Sequence, residues 1–287
     1  MTLAVTAASG KLGRSVLRAL GALKLGRPVV GLARAPHTAQ GQGVDIRPGD
    51  FDLPEQLEAS LRGVERLLMI STNQDPAARI TQHRNVLGAA RRAGVARIVF
   101  TSVQGIDGAP ANSVGASFLR TEADVKASGL TWALGRNGVY IEPDLEAMAQ
   151  YAAQGEIANS AGTGRCGYTT RAALGAAYAQ LLSGEVGWGQ TSNLHGTPLT
   201  QAQLARHLST AFDVPLIYRP MEAQAYLEDR IAALGPMLGP IIAGIYDTIR
   251  TGGLDNPSHY RLVTGHPHPS WEDFFASLSQ PTLRGSP

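Results

Sequence analysis

Short apolar runs alternate with amphipathic stretches through the first half of the chain. "TLAVT" (2–6), "PVVGLA" (28–33), "VDIR" (44–47), "ERLLMIS" (65–71), "ARIVFTS" (96–102) and "TWALGR" (131–136) have the length and composition of strands. Between them, "LGRSVLRALGAL", "PEQLEASLRG", "ITQHRNVLGAARRAG" and "SFLRTEADVKASG" place apolar residues three and four apart, as helices packed by one face do. That alternation predicts βαβ units around a buried parallel sheet. Right-handed crossovers then give a doubly wound α/β fold, whose ligand crevice lies at the carboxyl ends of the strands.

After residue 153 the rhythm changes. "AGTGRCG" (161–167) reads as a turn-rich break, "TRAALGAAYAQLL" (170–182) and "QAQLARHLSTAF" (201–212) as helices, and "TSNLHG" (191–196) and "VPLIYRP" (214–220) as strands. "LGPMLGPIIAGIYDTIRTGG" mixes Gly and Pro with apolar residues and predicts short helices lining something. The expected organisation is one α/β domain over 1–153 and a smaller α/β lobe on the substrate side over 154–287, partly interleaved with the main sheet.

Composition narrows the function classes. The 287 residues are 44% hydrophobic, enough for a sizeable core. With 25 basic against 23 acidic residues the net charge is only +2, so no electrostatic footprint for nucleic acid is present. The lone cysteine, Cys166, excludes an internal disulfide and fits a reducing compartment. No basic leader precedes the first strand, and no stretch of some 18 uninterrupted apolar residues occurs. The expectation is a cytoplasmic protein without a membrane partner.

The candidate chemistry begins at "VTAASGKLG" (5–13), which sits between the first strand and an amphipathic helix. Its spacing, Ala7-x-x-Gly10-x-x-Gly13, is that of a dinucleotide loop with alanine at the opening position. There, the first position turns the chain, the second admits the pyrophosphate, and the third lets helix and strand pack closely. Ala7 fits the first position only with a negative φ, because a Cβ makes positive φ costly. Thr6, Ala7, Ala8, Ser9, Gly10, Lys11, Leu12 and Gly13 are therefore the candidate phosphate-binding residues of a Rossmann-type domain.

The loop resembles the "GATGxLG" loop of the NmrA-like atypical short-chain dehydrogenases, and within that family the chain is most similar to type 2 NAD(P)H:quinone oxidoreductases and triphenylmethane reductases. Further stretches carry the likeness along the chain: "GLARAP" (31–36), "PGDFD" (48–52), "VERLLMIS" (64–71), "QHRNVLGAARRAGV" (82–95), "IVFTS" (98–102), "RNGVYIE" (136–142), "TRAALGAA" (170–177) and "TGHPHPSWEDF" (264–274). The family has Gly where this chain has Ala7.

The second strand ends at Arg34, where an NAD-preferring loop would place a carboxylate. A guanidinium suits a 2′-phosphate, so NADPH is the expected cofactor, with neither flavin nor metal. The resemblance implies that Asp50 and Phe51 lie beside the adenine, although Asp50 fits a plain turn equally well. Thr72, Asn73 and Gln74 follow the fourth strand and would pass under the inner ribose, although such small polar residues suit any exposed loop equally well. The resemblance further places Asn137, Gly138, Val139, Tyr140, Ile141 and Glu142 near the nicotinamide, and Arg171 near the cofactor. Asn137 would orient the carboxamide, Gly138 would let the backbone approach, and Tyr140 would stack on the substrate or donate to it. As bland alternatives, Tyr140 is a buried aromatic and Arg171 a solvated helix-start residue.

None of the three lysines, Lys11, Lys24 and Lys126, follows a tyrosine by four, so the Tyr-x-x-x-Lys pair of conventional short-chain dehydrogenases is missing. Thr101 and Ser102 occupy the point where relatives place a catalytic hydroxyl, but without that pair they read as residues that cap backbone or shape the pocket. His83 reads as structural, and His266 and His268 lack metal-ligand spacing. Two function classes remain. One is a flavin-free, NADPH-dependent reductase passing hydride to a quinone or similar planar electrophile, with Asn137 and Tyr140 as its catalytic residues. The other is a non-enzymatic NAD(P)-binding redox sensor of the NmrA type. An epimerase or dehydratase is the weaker third reading, since it relies on the missing pair. A homodimer is compatible with either class.

Overall fold

In the computed structural model, residues 2–39, 41 and 43–279 are described. The chain first forms β1 (Thr2–Val5), α1 (Lys11–Ala22), β2 (Val29–Ala33), β3 (Asp45–Pro48), α2 (Pro54–Leu61) and β4 (Val64–Met69). It continues through α3 (Pro76–Arg92), β5 (Arg97–Val103), α4 (Val114–Lys126), β6 (Thr131–Asn137), β7 (Val139–Tyr140) and α5 (Glu142–Glu146). Then follow α6 (Met148–Gln154), β8 (Glu156–Asn159), β9 (Arg165–Cys166), β10 (Tyr168–Thr169), α7 (Arg171–Ser183) and β11 (Thr191–Leu194). The remaining elements are β12 (Leu199–Thr200), α8 (Gln201–Phe212), β13 (Ile217–Pro220), α9 (Ala223–Arg250), α10 (Tyr260–Thr264) and α11 (Trp271–Ser279).

Seven strands among the described residues form one parallel sheet in the order β11-β6-β5-β4-β1-β2-β3. The chain runs outward from β1 through β2 and β3, then resumes on the other side with β4. The strand order therefore reverses between β1 and β4, which is where a doubly wound sheet binds its ligand. Burial explains the apolar runs: Leu3, Ala4, Val5, Leu67, Leu68, Ile98, Val99 and Phe100 are fully buried. Gly175 of α7 fits against α1 because a Cβ there would stand 2.8 Å from the Ser15 carbonyl carbon.

Two compact units divide the chain. The first holds residues 1–137, 170–194 and 259–266; the second holds 138–169, 195–258 and 267–287. The sequence expectation drew its line at 153/154 with some interleaving. The structure draws it at 137/138 and returns 170–194 to the first unit because β11 pairs with β6.

The second unit has its own core, including Ile141, Met148, Ile157, Tyr168, Leu204, Leu208, Ile249 and Trp271. Its short strands pair as β7 with β10, β8 with β13, and β9 with β12. β9 lies inside the stretch expected to be only a turn. Two Gly-Pro steps predicted short helices at 234–253. The structure instead has two arms, 223–234 and 236–250, meeting at Gly235 with φ 82°. As one span this element is long and apolar enough to cross a membrane by length and composition. The arms at about 1.5 Å per residue reach only roughly 18 and 22 Å, short of the roughly 30 Å of hydrocarbon in a bilayer.

Candidate active site

The loop after β1 is built as the glycine spacing requires, with one difference. Thr6 accepts the Ile70 amide on Oγ1 (2.8 Å), Ala8 donates to the Leu32 carbonyl (2.9 Å), and Gly10 donates to the Ala7 carbonyl (2.8 Å). A Cβ on Gly13 would fall 2.2 Å from the Ala7 oxygen, whereas one on Gly10 would keep 3.2 Å. Gly13 is thus the close-packing position. Gly10 caps α1 and, having no side chain, contributes no side-chain hydrogen bond to the first turn of the helix. That helix tip is an anion site by construction.

Ala7 corrects the sequence expectation: its φ is +49°, not negative. The turn keeps the shape a glycine would give it, and the methyl group bears the strain. A left-handed non-glycine residue costs roughly 1–2 kcal/mol, part of which glycine returns as unfolded-chain entropy. Ala7→Gly is therefore expected to raise unfolding stability by about 0.5–1 kcal/mol, read as a shifted denaturant midpoint at constant slope; an unchanged or lower midpoint contradicts it.

On the β2 side, Arg34 is exposed, and among the described residues its side chain has no hydrogen-bond or ion-pair partner. Arg14, which the sequence reasoning passed over, donates Nε to the Ser9 carbonyl (3.0 Å) and Nη2 to the Thr38 carbonyl (2.5 Å). It ties the phosphate loop to the turn after β2. Its signal was its place in the first turn of α1. Asp50 Oδ1 accepts the Asp52 amide (3.0 Å), the turn role weighed for it. Phe51 is only 6% exposed and packs in the first unit's core.

The loop after β4 is held on both sides by α3. His83 accepts the Thr72 amide on Nε2 (3.4 Å), and Arg79 donates Nε to the Thr72 carbonyl (3.1 Å). His83 Nδ1 lies 2.9 Å from Thr121 Oγ1, and its ring meets Phe100 edge-on. With its backbone fixed, Thr72 leaves its buried Oγ1 without a partner, while Asn73 and Gln74 are exposed.

Burial, with a smaller contribution from Arg79, pushes His83 down to about 3. A base with a depressed folded pKa is protonated first in the unfolded chain. Its stability contribution is complete above about pH 6.5 and is lost as pH falls toward 3, at about 1.4 kcal/mol per unit. Asp144, pushed up to about 6 by burial, works in the opposite direction. The expected result is therefore differential: between pH 6.5 and 4.5 wild type loses about 2 kcal/mol more than His83→Gln. Parallel stability–pH curves would contradict it.

At the ends of β5 and β6 the hydroxyls are engaged. Thr101 Oγ1 accepts the Ser71 amide (3.0 Å), and Ser102 donates to Glu122 (2.6 Å). Glu122 of α4 is buried and clasped by Arg136 through two 2.9 Å bonds. Arg136 is raised by that hydrogen bond. Asn137 is buried, and its Oδ1 lies 2.5 Å from the Tyr178 hydroxyl, which also lies 2.9 Å from the Gly135 carbonyl. Arg171 opens α7 behind the Thr170 cap.

In the second unit, Gly138 is required for a reason other than ligand approach: a Cβ there would stand 2.2 Å from the Gly167 carbonyl oxygen. Val139 and Tyr140 pair with β10, Ile141 is fully buried in that unit's core, and Glu142 begins α5. Burial pushes the Cys166 thiol well up, which leaves no reactive thiolate there. Among the described residues, no group of three His, Cys, Asp or Glu side chains could hold a metal ion.

The first unit accordingly offers the glycine-capped tip of α1 beside β1 and, among the described residues, an unpaired guanidinium after β2 and an orphaned hydroxyl after β4. These fit a dinucleotide, and fold and site together define a dinucleotide-binding oxidoreductase. A family model described as NAD(P)H-binding matches residues 7–184. Over 92% of this chain and 94% of the relative, the sequence is 31% identical to quinone oxidoreductase 2 of Escherichia coli. The crystal structure of the E. coli NADPH-dependent quinone oxidoreductase with NADPH superposes at a TM-score of 0.88. It is 29% identical and covers 97% of this chain and 100% of its own. Triphenylmethane reductase of Citrobacter sp. with NADP(H) gives a TM-score of 0.86 at 29% identity, covering 98% and 100%. The chain belongs to the NAD(P)H-binding, NmrA-like family, and it is an NAD(P)H-dependent oxidoreductase.

Proposed function

We propose that this chain uses NADPH, without flavin or metal, to reduce a quinone or a similar planar electrophile. The observation that carries the reading is that no acid is set aside for the acceptor. Ser102 at the end of β5 is committed to Glu122, which Arg136 also bonds, and the chain has no Tyr-x-x-x-Lys pair. An acceptor that delocalises incoming charge can react without such an acid. NADPH, when bound, supplies a hydride; the acceptor gains it and one proton from water, so NADPH, quinone and a proton become NADP⁺ and hydroquinone.

The chain's part is binding and orientation. The α1 tip receives the pyrophosphate and Arg34 the 2′-phosphate. Thr72 approaches the inner ribose, Asn137 supports the nicotinamide end, and Tyr140, three residues further along the chain, orients the acceptor.

The test mixes flavin-stripped protein with NADPH and a panel of simple quinones and triphenylmethane dyes, and follows cofactor absorbance. Quinone-dependent NADPH oxidation is expected. Asn137→Ala and Tyr140→Phe should lower turnover more than NADPH binding. Cofactor binding without turnover across the panel would overturn the enzymatic reading in favour of a redox sensor.

A further inference from the structure

Gln104, just past the end of β5, carries a feature that neither the phosphate loop nor the ion pair explains. Its side chain is 7% exposed, and neither Nε2 nor Oε1 has a hydrogen-bond partner. Leaving both halves of a buried amide unsatisfied is costly, and an unliganded fold gains nothing from it. The residue is also fixed in place: its backbone N–H donates to the Asn137 carbonyl (3.0 Å), pinning it to the end of β6.

Sheet order says which part of a dinucleotide reaches this point. The pyrophosphate anchors at the α1 tip next to β1, and Arg34 draws the adenosine toward β2. The other end must then extend over β4, β5 and β6, on the opposite side of β1. Along that side lie the orphaned Thr72 Oγ1 and the orphaned Gln104 amide.

We infer that Gln104 is a positioning residue that recognises the carboxamide of the nicotinamide ring. Both of its amide atoms lack partners, so the ligand must present a donor and an acceptor side by side, as a primary carboxamide does. A quinone carbonyl would satisfy Nε2 alone. Asn137, the other amide at this edge, already has its Oδ1 against the Tyr178 hydroxyl. Holding the carboxamide fixes the ring plane, and with it the face from which hydride leaves.

The assignment rests on the dinucleotide site and not on the identity of the acceptor. Its test compares wild type, Gln104→Ala and Gln104→Glu in binding NADPH and adenosine 2′,5′-bisphosphate, which lacks the nicotinamide. Unfolding of the free proteins is measured alongside. Gln104→Ala is expected to weaken NADPH about ten-fold, leave the bisphosphate unchanged, and leave the free protein as stable or more so. Gln104→Glu keeps the shape but loses the donor, and should not restore NADPH affinity. Equal loss for both ligands with lower stability would overturn the inference in favour of a structural residue. Unchanged NADPH affinity with a raised quinone KM would overturn it in favour of the acceptor. A wild-type protein that bound neither nucleotide would overturn the whole site.

Discussion

Gly13→Ala should cripple cofactor binding even though it adds only one methyl group. The new Cβ would stand 2.2 Å from the Ala7 oxygen, 2.9 Å from the Ala7 carbonyl carbon and 3.1 Å from the Ala8 Cα. All three are backbone atoms of the turn that presents the α1 amides, so no side chain can swing away. Relief requires the loop to leave its place, at a cost of about 2–3 kcal/mol in stability. The amides that should meet the pyrophosphate then move with it, and NADPH affinity should fall about 100-fold or more. Gly10→Ala is the internal control, since its Cβ would keep 3.2 Å from the same oxygen. Calorimetric titration of both variants with NADPH checks the ranking. Equal affinities for Gly13→Ala and wild type would show that the loop is not the phosphate cradle.

Arg34→Asp is expected to invert the coenzyme preference. The guanidinium is exposed and unpaired among the described residues, so removing it breaks no native contact and fold stability should hardly change. Against a 2′-phosphate the substitution loses a charge-assisted bond worth about 1.5–3 kcal/mol and adds repulsion. With NADH the new carboxylate can accept from the ribose 2′-hydroxyl. The ratio of NADPH to NADH affinity should therefore shift by roughly three orders of magnitude. Arg34→Ala alone should weaken NADPH about ten-fold or more while leaving NADH unaffected. A ratio that stays put in both variants would remove Arg34 from the site.

Period and spacing made most of the first unit readable. Each of the six early apolar runs became a strand within a few residues, because a sheet covered on both faces writes itself as continuous apolar sequence. The start of α3 was misjudged: the pattern suggested residue 80, whereas Asp75 caps the helix by accepting the Ala77 and Ala78 amides. An Asp-Pro pair before a helix was the signal available.

The conformation of Ala7 was not legible, since the loop's need for positive φ is set by contacts among Leu32, Gly10 and Gly13 rather than by the residue itself. Arg14, Arg79, Ser102–Glu122 and Gln104 were missed for one shared reason. Each acts through a partner distant in sequence, as when Arg79 and His83 reach Thr72, or Gln104 meets Asn137. Periodicity reports which face a residue occupies, and says nothing about which hydrogen bonds remain unmade there.

In the proposed reading a dinucleotide lies along the carboxyl edge of this sheet, held at the α1 tip and at Arg34. A crystal structure of the protein grown with NADPH tests it most directly. Pyrophosphate oxygens are expected within hydrogen-bond distance of the amides in the first turn of α1, and a 2′-phosphate on the Arg34 guanidinium. Nucleotide bound elsewhere, or an empty edge at saturating NADPH, would contradict it.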